Sequence, residues 1–109
     1  MKCLRAGTLN DLAPGTCISV DLDGKYGFAL ANLNGKIFAL DNTCPHAGGP
    51  LGEGTLEGEH VICPWHGWKF HVQTGYRKSN PNEAWKVPTY ETRVVDDIIQ
   101  VVIPEAEQG

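Results

Sequence analysis

Cys44-Pro45-His46-Ala47-Gly48-Gly49-Pro50-Leu51 and Cys63-Pro64-Trp65-His66-Gly67-Trp68-Lys69-Phe70 are the two strings on which the reading of this chain turns. Each opens with a cysteine followed closely by a histidine, as C-x-H and as C-x-x-H. Sixteen residues separate His46 from Cys63. Thiolates and imidazoles are metal donors, and two of each complete a four-coordinate site. Cys3 and Cys17 stand outside the pattern. Four cysteines in a short chain could instead form two disulfides. The start Met1-Lys2-Cys3-Leu4-Arg5 has no apolar stretch, so no secretory leader is expected, and a cytoplasmic location is.

The mixture inside each string bears on the choice of metal. Structural zinc sites usually pair one cysteine with another and one histidine with another, and C-x-H is tight for both side chains to reach one small ion. Two irons side by side relax that strain, because each string can send its cysteine to one iron and its histidine to the other. The two strings resemble the Rieske iron–sulfur signature. In length and layout the whole chain resembles the small soluble Rieske ferredoxins that serve bacterial aromatic-ring dioxygenases. The resemblance implies one [2Fe-2S] cluster per chain, with Cys44 and Cys63 on the inner iron and His46 and His66 on the outer, solvent-near iron. It implies a one-electron carrier with no catalytic residues of its own, in aromatic hydrocarbon catabolism. Its transient partners would be a flavin-containing ferredoxin reductase and a terminal oxygenase. The alternative is a fixed Rieske-like small subunit of another oxidoreductase, such as an assimilatory nitrite reductase.

The same resemblance bears on the potential. The respiratory type carries an extra cysteine in each string, joined as a disulfide; Gly49 and Trp65 fill those places here. It also carries a serine and a tyrosine whose hydroxyls donate toward the cluster; the matching residues are Trp68 and Phe70. Fewer donors leave the reduced cluster less stabilised. The expected potential is therefore at the low end of the Rieske range of roughly −150 to +300 mV.

Composition agrees with a small carrier. The 109 residues, 41 % hydrophobic and 20 % charged, suit a single soluble domain. A net charge of −4 without a basic tract argues against nucleic acid, and no apolar run nears a membrane span. A monomer is expected. The chain is too short for an added mononuclear iron with two histidines and a carboxylate, so an oxygenase subunit is excluded.

Glycines and prolines punctuate many short apolar runs, and no repeat is evident. Strands are predicted at 2–6, 16–21, 26–33, 36–41, 61–63, 69–71, 89–95 and 98–103, with one helical turn near 10–13. Asn34-Gly35 is a type I′ hairpin signal, Asp23-Gly24 a second candidate turn, and Asp96-Asp97 joins the last strands. The fold class is all-β, an antiparallel β-sandwich or partly open barrel with a small inserted cluster-binding subdomain. The insert spans about 42–85, leaving about 1–41 and 86–109 as the base. Gly48, Gly49 and Gly67 would let backbone amides approach the cluster, and the segment 79–82 would lie against it.

Other residues have ordinary explanations. Cys3 and Cys17 read as buried or half-buried thiols, His60 as solvated and His71 as a plain strand residue. Leu51 and Trp68 read as shielding, Trp85 as core, and Trp65 as divided between packing and a docking face. Glu53, Glu57 and Glu59 read as a solvated face, or else as steering charges toward a basic partner. The purified protein is expected to be red-brown, with a reduced-state EPR signal averaging below the free-electron g; a colourless protein would favour zinc.

Overall fold

The computed structural model describes residues 2–22, 26–45, 48–65, 67–79 and 85–103. Nine strands follow in order: β1 (Lys2–Thr8), β2 (Cys17–Leu22), β3 (Tyr26–Leu33), β4 (Lys36–Asp41), β5 (Thr55–Glu57), β6 (His60–Ile62), β7 (Lys69–His71), β8 (Thr89–Val95) and β9 (Ile98–Ile103). Six of them pair antiparallel in the order β1-β9-β8-β4-β3-β2, and β5-β6-β7 form a second sheet. β4 meets β8 over only two residue pairs, Ala39↔Tyr90 and Leu40↔Thr89. The six-stranded run is thus two three-stranded halves joined by a narrow seam, a curled base of the expected all-β kind. No α-helix occurs among the described residues; one 3-10 turn at Leu9–Asp11 stands near the helical turn expected at 10–13.

Alternation along β3 and β4 explains how the base carries the second unit. Phe28, Leu30, Ile37 and Ala39 face a core shared with Ala6, Leu12, Ile99 and Val101. Ala29, Ala31 and Leu40 face the other way, into a core that holds Cys44, Leu51, Val61, Cys63, Phe70, Val72 and Val87. Both faces of this hairpin are buried, so its sequence reads as an apolar run rather than a polar–apolar alternation. Alanines on the second face let the smaller sheet approach closely.

Asn34 (φ 55°) and Gly35 (φ 95°) make the left-handed pair that the hairpin β3–β4 needs. Asp96 and Asp97 do the same for β8–β9 at φ 51° and 65°, without a glycine. Asp23-Gly24 lies outside the described residues.

Two expectations are corrected. No strand is predicted between 41 and 61, but Thr55–Glu57 forms β5 against β6, because Leu56 packs against the second core. Cys3 is exposed, not buried, since β1 is an edge strand and Cys3 sits on its outer face, whereas Cys17 is half-buried with its thiol toward the Gly54 carbonyl (3.5 Å).

Gly54 is where the small sheet is closest to its own backbone. A Cβ there would stand 1.8 Å from the carbonyl oxygen of Ile62, the residue before Cys63. Gly58 has open space and only a left-handed φ of 60°. Gly54→Ala is therefore expected to cost about 3 kcal/mol, as overpacking does, and to lower metal loading. Gly58→Ala is expected to cost about 1 kcal/mol with loading retained. Urea unfolding together with iron content checks both.

Candidate metal centre

Two six-residue loops dominate the exposed end of the small unit. In the first, Cys44 N–H donates to the Gly49 carbonyl (2.9 Å) and Gly48 N–H donates to the Cys44 carbonyl (2.8 Å). In the second, Cys63 N–H donates to Trp68 (2.8 Å) and Gly67 N–H to Cys63 (3.0 Å). Each loop is closed by a flanking pair, Thr43↔Pro50 and Ile62↔Lys69. The fifth residue of each is a left-handed glycine, Gly48 at φ 78° and Gly67 at φ 77°. The two strings differ in where their histidine falls, yet the backbone treats both cysteines alike.

A third loop repeats the design. His71 N–H donates to the Tyr76 carbonyl (2.9 Å), Gly75 N–H donates to the His71 carbonyl (2.8 Å), and Phe70↔Arg77 closes it. Gly75 has φ 82°. Here the ring of His71 occupies the first position, and its Nδ1 accepts the amides of Gln73 (3.1 Å) and Thr74 (3.4 Å). Because Nδ1 accepts, Nε2 carries the proton and donates to Glu59 (2.9 Å). His71 is more than a plain strand residue, and a short repeat does exist. Its sequence signal is a glycine at the fifth place of CPHAGG, CPWHGW and HVQTGY.

Neither Cys44 nor Cys63 is in a disulfide, and each is 1 % exposed, in one apolar core with Leu51 and Phe70. His46 and His66 lie outside the described residues, as do Ala47 and 80–84. Among the described residues no group of three or more metal-binding side chains gathers, since the two cysteines are half of the expected four donors. The loops touch: a Cβ on Gly49 would stand 2.9 Å from the Trp65 ring and 3.1 Å from Cys63 Sγ. Of the three loop glycines, Gly49 thus leaves room for Trp65 and Cys63, while Gly48 and Gly67 have open space beside a left-handed φ. The two places expected to lack a disulfide, 49 and 65, are in contact and filled by glycine and tryptophan.

The first loop is bracketed by Asn42. Its Oδ1 accepts Gly52 N–H (2.7 Å), its carbonyl accepts Leu51 N–H (2.8 Å), and its amide donates to Gly27 on β3 (3.0 Å). Nothing in the strings announces this residue. Leu51 is fully buried beneath the loops, Trp68 and Trp85 are half-buried edge to face (5.1 Å), and Trp65 is 58 % exposed.

Around this core, the carboxylates of the small sheet are already engaged. Glu57 pairs with Lys69, whose hydrogen bond and charge hold that carboxyl below its ordinary range, and Glu59 pairs with His71. His60 stacks its edge on His71 (5.2 Å).

The Rieske [2Fe-2S] domain model matches residues 3–91. The chain belongs to the Rieske [2Fe-2S] domain family. It is 33 % identical over 94 residues to the ferredoxin component of the naphthalene 1,2-dioxygenase system of Pseudomonas putida, covering 86 % of this chain and 88 % of that one. It is 36 % identical over 78 residues to ferredoxin CarAc of Metapseudomonas resinovorans, covering 72 % and 73 %. Among solved structures, the ferredoxin in a complex of reduced oxygenase and oxidized ferredoxin of carbazole 1,9a-dioxygenase superposes with a TM-score of 0.82 at 31 % identity, over 91 % of this chain and all of that one. A candidate NADH-dependent nitrite reductase small subunit from Mycobacterium tuberculosis gives 0.84 at 26 % identity, over 96 % and 97 %. A Rieske [2Fe-2S] cluster is accordingly the cofactor of this chain, and two buried cysteines outside any disulfide, on matched loops, are donors that suit it.

The His60 side chain has a proton affinity below its ordinary value, first through burial and then through His71 and Lys78. The folded state therefore binds this proton less readily than the unfolded one, and stability falls as pH drops below the unfolded histidine range near 6.5. His60→Gln is expected to lose less stability than the parent between pH 7 and 5.5, read as the difference in thermal midpoints; equal losses would assign the slope elsewhere.

Proposed function

We propose that Cys44 and Cys63 hold the inner iron and His46 and His66 the outer iron of the cluster. The chain works as a one-electron carrier, taking electrons from a flavin-containing reductase and giving them to a terminal oxygenase. Held by these residues, the cluster would supply one-electron redox chemistry. The observation that carries this reading is the matched pair of loops, each presenting a buried cysteine by the same backbone clamp.

The unit at about 42–85 acts as the cluster-binding subdomain on a base formed by 1–41 and 86–109. The exposed indole of Trp65 lies against the cluster loops and supplies an apolar anchor for both partners, a role that large, rigid aromatic side chains fill well. The protein acts as a cytoplasmic monomer. No helix among the described residues is long and apolar enough to cross a membrane. A second reading, a fixed small subunit of a nitrite reductase, is supported by the likeness to the mycobacterial protein. Gel filtration of the purified chain and its reduction by a ferredoxin reductase separate a free carrier from a built-in subunit.

Alanine at His46, His66, Cys44 or Cys63 is expected to abolish the visible absorption and the reduced-state EPR signal. Retention of both in either histidine variant would falsify the ligand assignment. A redox titration is expected to give a midpoint below zero, because Phe70 is buried beside the loops with no hydroxyl to donate. A midpoint well above zero would remove the low-potential carrier.

A further inference from the structure

Arg77 is a half-buried cation with no carboxylate partner among the described residues. Its guanidinium carbon stands 3.4 Å from the centre of the ring of Trp68, the residue that closes the Cys63 loop. Two features of the chain hold it there. Arg77 pairs with Phe70 across the third loop, and cross-strand partners share a face. The face of Phe70 is the one that leads into the core of Cys44 and Cys63. Trp68 is in turn braced edge-on by Trp85 and lies beside Phe70 (6.3 Å). By contrast Lys78, next along the chain, is exposed, with its amide bonded to the Lys69 carbonyl (2.8 Å).

The contact with Trp68 is itself attractive, and it fixes where the charge of Arg77 stands. The charge gains value when a negative charge appears nearby. Reduction does that: one electron from the donor flavoprotein turns one of two ferric ions ferrous, no bond or proton moves, and the charge of the site falls by one unit. A cation fixed behind an indole, partly out of water, interacts with that added charge through a medium less polar than the solvent.

We propose that Arg77 is a positioning and charge-supplying residue that raises the cluster's reduction potential from behind Trp68. This rests on the cluster lying between the Cys44 and Cys63 loops, and it adds a determinant outside the ligand strings. It also explains why a guanidinium with no carboxylate partner among the described residues stands beside a loop whose hydroxyl donors are missing: charge takes over part of what hydrogen bonds supply elsewhere.

The experiment is a spectroelectrochemical titration of the holo-protein and four variants. Arg77→Met and Arg77→Gln are expected to shift the midpoint to more negative values, with visible and EPR spectra unchanged. Arg77→Lys keeps the charge and is expected to stay near the parent. Lys78→Gln removes an exposed charge one residue away and is expected to shift the midpoint much less. The gap between parent and Arg77→Met should narrow as salt is raised, as a partly exposed charge requires. If Arg77→Met fails to load, Arg77→Gln tests the same point. The proposal is overturned if a loaded charge-removing variant titrates with the parent. It is overturned equally if Arg77→Lys falls as far as Arg77→Met, or if Lys78→Gln shifts as much as either. Changed spectra in Arg77→Met would assign a packing role instead. An intact spectrum with an unmoved midpoint sinks this inference alone, whereas colour retained in His46→Ala sinks the ligand assignment.

Discussion

The clamp on each cysteine's backbone is the constraint from which the rest of the molecule follows. A cysteine that donates its amide to the residue five places on, and accepts from a glycine four places on, has its Cα fixed and its thiol aimed. One such loop is a common turn. Two of them in contact need a scaffold that brings residues 44 and 63 together. The small sheet β5-β6-β7 and the Asn42 bracket supply it, the first by reversing the chain between the loops, the second by tying the first loop to β3. Gly54 is the tightest point of that reversal, so its missing Cβ matters to the site although it touches no donor. The base then needs only to offer a flat, small-residue face, which Ala29 and Ala31 provide.

Much of this is written openly in the sequence. The donor strings are dense and unusual in their Cys–His mixture, so metal type and ligand set follow from chemistry and resemblance together. Strands β3, β4, β8 and β9 fall where apolar runs and turn residues put them, and Asn34-Gly35 announces its turn through a left-handed requirement few residue pairs meet well. Strand β5 was not legible, because three residues with only Leu56 apolar give no period to count. Asn42 was not legible either, since its importance comes from three contacts distant in sequence. The third loop escaped for a different reason. Its repeat lies in hydrogen bonds and in one glycine, and a histidine stands where the other two loops have cysteine.

Net charge is a poor guide to the field at such a site. The chain carries −4, and the acids of its small sheet at first suggest steering toward a basic partner. Yet Glu57 is matched by Lys69 and spends its field on that neighbour, while Glu59 accepts a hydrogen bond from His71. Exposed pairs of this sort add little stability. Arg77, Lys78 and Lys86 have no ion-pair partner among the described residues. Lys86 lies over Tyr76 (5.0 Å) and Arg77 over Trp68, so aromatic faces hold two of these three cations in place. An acidic chain can therefore still fix a single cation beside a cysteine loop, as Arg77 stands on the tryptophan that closes the Cys63 loop. Charge placed this way acts on the reduced state more than on the oxidised one, and that difference between states, not overall charge, is what sets where an electron prefers to rest.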